Sequence, residues 1–336
     1  MSTSVVRAAM VPVTRQMRAY FAPIDRTTET PAIFDPGLCG VFPLMSPPAP
    51  WVDLGWIENF TRWYDTTTAT VRSGTKGLAA AQFRGPAEAG VSFTFRQWGK
   101  LQMALAGGSE HMNVLAPASG NVSPSPSGGT PEPGAAVLAG STASELVFGA
   151  GVASSFSPGC LVAVDVDYQQ QTGYVGSGIA AAYVGNAASV KQDPNYVRRV
   201  TFNVGRVAEV TANSVLLAQP LLGGVPVAGA SAQVIVAFVD REGGSFLQEW
   251  SALFVAEEES GGRVCFYYPR LSPNAGDVGA GSDKTFARED IVAIAPGCSA
   301  ISLQAAFVAL PSTDGNDGQS VLCYRSYFPA GMAAAY

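Results

Sequence analysis

This sequence predicts a mainly β protein: a β-sandwich or barrel with one short flanking α-helix, and a small β-barrel or sandwich domain inserted into it. Three observations carry the expectation. Short apolar runs of alternating rhythm recur along the chain, separated by glycine, proline and Asp-Gly turns. Helical rhythm surfaces clearly only at 98–106. Finally, 47% hydrophobic and 14% charged residues is too apolar for disorder and too poorly charged for an ordinary free surface.

Taken in order, residues 1–50 form an irregular N-terminal arm closed by SPPAP, and 51–116 form a first β block. Within that block WVDLGWIENFTRW is apolar and aromatic, TTTATVR is β-branched, and SGTKG (73–77) is a turn. Val91, Phe93 and Phe95 then alternate with Ser92, Thr94 and Arg96, which is strand rhythm. Trp98, Leu101 and Leu105 follow at i, i+3 and i+7, which is helix rhythm, and Gly107-Gly108 supplies the stop.

Residues 117–145, rich in proline, glycine and serine with Glu132 the one charge through 144, predict a linker or exposed loop. The inserted domain is expected at 146–240. CLVAVDVDY (160–168), YVRRVTFNVGRVAEV (196–210), SVLLAQPL and AQVIVAFV supply its strands. The first block resumes over 241–336. FLQEWSALFVA and RVCFYYPRL form a hairpin about EEESGG; Ile301, Leu303, Ala305 and Phe307 alternate; VLCYRSYF is a last strand.

Composition narrows the function classes. The longest uncharged run, 210–239, is interrupted by Asn213, Gln219, Pro220, Gly223, Gly224, Pro226 and Gln233, so it is no spanning helix. Arg7, Arg15 and Arg18 break the N-terminal run, so no secretory segment is expected. A soluble product of the cytoplasm, with no membrane insertion, is the expectation. Low charge then points to surfaces buried against other subunits. Arginine outnumbers lysine sixteen to four, which suits interfaces, although a GC-rich genome produces the same bias. A net charge of −6 offers no basic face for gripping nucleic acid. Cys39, Cys160, Cys265, Cys298 and Cys323 are widely spaced and predict buried thiols, not a zinc site.

Several groups invite a chemical reading. His111, the one histidine, would need a hydroxyl, thiol or carboxylate folded beside it for nucleophilic or metal chemistry. Its sequence neighbours Ser109, Glu110 and Met112 make no motif, so an ordinary loop histidine is favoured. Asp165 and Asp167 share a strand face, where paired carboxylates can hold a hard cation, but alternation with valine describes any half-solvated strand. Asp314, Asn316 and Asp317 look like an oxygen-rich calcium loop without its closing Glu; a hairpin turn explains them better. GLAAAQFRG, GAGVASS and VGSGIAAAYVG lack phosphate-loop spacing, and Glu257–Glu259 sit at an expected hairpin tip. No catalytic, cofactor-binding or metal residue emerges, and the chain is not expected to be an enzyme.

The layout DLGWIENFTRW…TVRSGTKGL…VSFTFRQWGKLQMALAGG resembles the major tail tube proteins of tailed bacteriophages and phage-derived particles. The matching features are Leu54-Gly55, the segment around Asp65–Arg84, the Val91/Phe93/Phe95 strand and the Trp98–Gly108 unit. WSALFVA, RVCFYYPRL and ISLQAAFVALP resemble that family's C-terminal half. The resemblance covers roughly 51–110 and 241–328; residues 146–240 depart from the minimal fold and suit an added outer β domain.

It implies a structural virion protein assembled in the host cytoplasm. Subunits would form hexameric rings around an inner barrel, stack through a long hairpin, and contact other tail proteins. DNA would pass through the lumen without specific binding, because cationic phosphate contacts would hold it fast. The alternative is a β-sandwich binding module for carbohydrate or a cell-surface ligand, with Trp51, Trp56 and Trp63 as an exposed stacking platform.

Overall fold

The computed structural model describes residues 14–24, 30–35, 42–48, 50–73, 77–118, 132–166, 195–242, 248–259, 261–273, 288–295 and 298–329. The protein is mainly β, with one helix longer than two turns among the described residues. Its larger sheet joins β1 (Thr14–Pro23), β2 (Val52–Ser73), β3 (Leu78–Phe95), β11 (Trp250–Glu258), β12 (Arg263–Pro273), β13 (Arg288–Ala295), β14 (Cys298–Ala309) and β17 (Tyr324–Phe328). The order is β13-β14-β3-β2-β1-β11-β12-β17, and Leu271↔Ala309 pairing of β12 with β14 closes six of these strands into a barrel. Alternation puts Phe21, Phe93, Trp250, Phe254 and Phe307 inside, with Phe93 and Phe307 stacked at 5.6 Å.

The arm expected to be irregular supplies β1, which pairs with β2 and β11. Two arginines and a glutamine disguised it. Arg18 is tolerated because its guanidinium grips Asp53 on β2 (Nε–Oδ1 2.9 Å, Nη2–Oδ2 2.5 Å) and lies 4.9 Å over Trp56. The other face of β1 and β11 is covered by Phe34, Phe42 and Trp51. Tyr20 Oη donates to Leu44 O (2.9 Å) and Tyr267 Oη to Ala32 O (2.8 Å), fastening that segment down.

The hairpin β2–β3 turns at the expected place, with Ser73 opposite Leu78 and Gly77 at φ 60. After β3 comes α1 (Lys100–Gly107), packed through Leu101, Ala104 and Leu105 and ended by Gly108 in the left-handed region (φ 58). Trp98, expected on its apolar face, instead precedes the helix and is half exposed against Phe238. The reason is Gly99, whose extended backbone caps the helix and starts it at Lys100, two residues past Trp98.

The second sheet runs β4 (Glu110–Leu115), β10 (Ser231–Arg241), β7 (Leu161–Asp165), β8 (Val204–Val210), β9 (Ser214–Leu217) and β6 (Glu145–Val147), with β5 (Ala135–Ala136) also on β10. Its core is Val137, Leu146, Phe148, Val162, Val164, Val207 and Val215. It therefore extends outside the expected 146–240 boundaries: β4 lies in the expected first block, and 132–145, expected as linker, packs into it. Residues 196–200, expected as strand, form the short helix α2 (Tyr196–Val200), in which Arg199 N bonds Asn195 O at 3.0 Å. The small strands β15 (Ser312–Thr313) and β16 (Ser320–Val321) pair about the Asp-Gly turn. No helix among the described residues is long and apolar enough to cross a membrane.

Candidate functional site

Two features stand out: a bare β ribbon and a buried polar cluster. β1 pairs with β2 only as far as Val52–Ile57, and β14 pairs with β3 only over Gly90–Phe95. Beyond Tyr64 and Ala89, β2 and β3 pair only with each other among the described residues. β2 continues nine residues past Tyr64, about 30 Å at the usual rise. Phe83 is 60% exposed, Tyr64 52% and Val71 49%. A two-stranded ribbon is marginal in water by itself, so apolar side chains here call for a covering surface. At its base, where Asn59 adopts φ 54, a cleft of about 600 Å³ opens among Met17, Trp56, Ile57, Phe60, Val264 and Phe266. Glu58 and Arg96 form an ion pair beside it. The outer edges of β13 and β17 are likewise without a sheet partner among the described residues.

The carboxylate and tryptophan groups singled out in the sequence do not gather into sites. Asp314 Oδ1 accepts from Asn316 N (2.8 Å) and Asp317 Oδ1 from Gln319 N (2.9 Å), so both carboxylates are turned onto their own backbone. The Tyr324 hydroxyl holds the Asp314 carboxyl below its ordinary range. Asp165 also turns to its own chain, at Val166 N (2.8 Å); Asp167 and the segment VGSGIAAAYVG lie outside the described residues. Trp51 is buried against Phe42 and Tyr267, and Trp56 is roofed by Arg18, so the three tryptophans make no exposed platform. Of the hairpin-tip carboxylates, Glu258 is buried and Glu257 faces Arg263 at 3.7 Å. Among the described residues no group of three or more His, Cys, Asp or Glu gathers as metal ligands.

No protein-family model and no curated protein matches this chain.

His111 departs most from expectation. It is no loop histidine but a buried residue of β4, opposite Asp240 on β10. Its Nδ1 meets Asp240 Oδ1 at 2.9 Å, Ser109 Oγ donates to Asp240 Oδ2 at 3.0 Å, and Nε2 meets Asn113 Oδ1 at 3.3 Å. The ring stacks on Phe202 at 4.7 Å. Lys100, at the start of α1, directs Nζ into the same space. It donates to Asn113 Oδ1 and, at 3.2 Å, to Thr201 O, and lies 5.2 Å over Phe202. The Asn113 amide nitrogen donates to Arg198 O (2.9 Å) and Thr201 O (2.8 Å). Burial pulls Lys100 down to about 7. Burial and the Lys100 charge push His111 down to about 4. Serine and histidine both bind Asp240, so Ser109 is not aligned on Nε2 as a nucleophile would be. The sequence hid this cluster because Lys100, His111 and Asp240 meet only when β4 pairs with a strand far along the chain.

Proposed function

We propose that this chain is a structural subunit of a tail tube. Copies join into hexameric rings, and the ribbon of β2 and β3 bridges each ring to the next. The lumen conducts DNA without specific binding, other tail proteins meet the tube ends, and the assembled location is the virion tail. The observation that carries this reading is the ribbon itself, which exposes Tyr64, Val71 and Phe83 and pairs with no further strand among the described residues. The open edges of β13 and β17 support it, since pairing between copies would cover them. The low charge content supports it too, as surfaces given over to interfaces carry few charges at their centres.

The test is the solution mass of the protein across concentration and salt. Species in multiples of six are expected. Phe83→Glu combined with Val71→Glu should weaken assembly at least ~10-fold, since a desolvated carboxylate costs well over 1.4 kcal/mol. The variant's thermal midpoint as a monomer should stay where it was, because neither side chain contributes to the barrel core. Assembly unchanged in the double variant would remove the ribbon from the account.

A further inference from the structure

The buried cluster holds the two reactants of an amide exchange in contact, and nothing in the tube reading requires it. Lys100 Nζ touches the carboxamide oxygen of Asn113. Asn113 is fully buried, and its amide nitrogen is clamped by two backbone carbonyls, so the carboxamide cannot rotate away from the amine. Lys100 Nζ lies over the ring of Phe202, on which the His111 ring stacks. A base stands at the same oxygen, because His111 Nε2 also abuts Asn113 Oδ1, while Asp240 holds the opposite ring nitrogen.

We propose that Lys100 and Asn113 are joined by an intramolecular isopeptide bond, formed by the protein on itself. The ammonium of Lys100 yields one proton to solvent. The free amine attacks Cγ of Asn113 and forms the new N–C bond of a tetrahedral adduct. His111 Nε2, beside Oδ1, relays one proton from the attacking nitrogen to Nδ2, the Cγ–Nδ2 bond breaks, and ammonia leaves, taking up a proton from solvent. The sum is lysine ammonium plus carboxamide giving a secondary amide plus ammonium; nothing is oxidised or reduced. Burial favours the first step, since it pulls Lys100 down to about 7 and leaves much of the amine uncharged near neutrality. Asp240 faces His111 through Nδ1 and stabilises the transient imidazolium. The product would tie the first turn of α1 to β4, fixing the second sheet to the barrel by a covalent strut. This inference stands whether or not the chain builds tubes.

Mass spectrometry of the full-length protein tests it. The intact mass should be lower than the sequence mass by one ammonia. Trypsin should fail to cut after Lys100. Glu-specific cleavage after Glu110 should then leave the segments carrying Lys100 and Asn113 covalently joined, which separates the cross-link from a cyclic imide at Asn113 of equal mass. Lys100→Arg and Asn113→Ala should each abolish the joined species, and His111→Gln should reduce it by at least tenfold at equal age of sample. A wild-type protein carrying the full sequence mass, or segments that part after the second cleavage, would overturn the proposal. Joined segments at wild-type level in His111→Gln would overturn the role given to the histidine.

Discussion

At the scale of single residues, stability rests on charged groups that found partners on another strand. Arg18 is largely buried on β1 and its two bonds to Asp53 are what permit a cation there. Asp53 also accepts from Gly55 N at 2.8 Å, holding the turn of chain at Gly55 (φ 82). Asp53→Ala should therefore cost about 3 kcal/mol in urea unfolding, because it strands a buried guanidinium. His111 gives a pH-dependent term. Its folded value lies at about 4 against an ordinary 6.5. Between those values the unfolded chain binds a proton that the folded chain refuses, so stability rises with pH through that window. The contribution is complete above about 6.5 and lost as pH falls through 4, and it amounts to roughly 3 kcal/mol. Urea midpoints at pH 7 and pH 4.5 should differ more in the wild type than in His111→Gln; equal differences would refute the burial argument. None of these pairings was legible in the sequence. A charge on a β segment shows that a partner is needed, and only the pairing register says which.

Elements were more legible, and unevenly so. The strand at Val91–Phe95, the helix stop at Gly108 and the hairpin of β11 with β12 follow from local rhythm and turn chemistry, and the structure has them where rhythm put them. β1 was hidden by its polar residues, of which Arg18 finds its partner on β2, and α2 by valines and arginines that look like strand until Asn195 closes its turn. The second sheet's start was hidden because Val137 and Leu146 are few among glycines and serines, yet both are fully buried. Gly90 shows how closely β3 and its neighbours approach. A Cβ there would meet Phe307 O and Trp63 Nε1, each at 2.6 Å. Gly90→Ala should destabilise by about 2 kcal/mol, read as a lowered thermal midpoint, because backbone and an indole would have to move apart. A neutral substitution would mean that the barrel wall is looser at this point than its packing implies.

For the whole molecule, the account turns on what the barrel leaves unfinished. Within one chain the aromatic core is closed and both faces of β1 and β11 are covered, yet a ribbon about 30 Å long runs on beyond its neighbours and two outer strand edges have no sheet partner among the described residues. That asymmetry, a finished interior beside unfinished margins, is what a repeating assembly of copies would resolve. The sequence carried a hint of it in scarce charge and plentiful arginine, but only the pairing pattern locates the margins on β2, β3, β13 and β17. Negative-stain imaging of the purified protein at high concentration tests this most directly. The account predicts rings of uniform diameter with a central opening, and stacks of them. A field of separate monomers at every concentration and salt would contradict it.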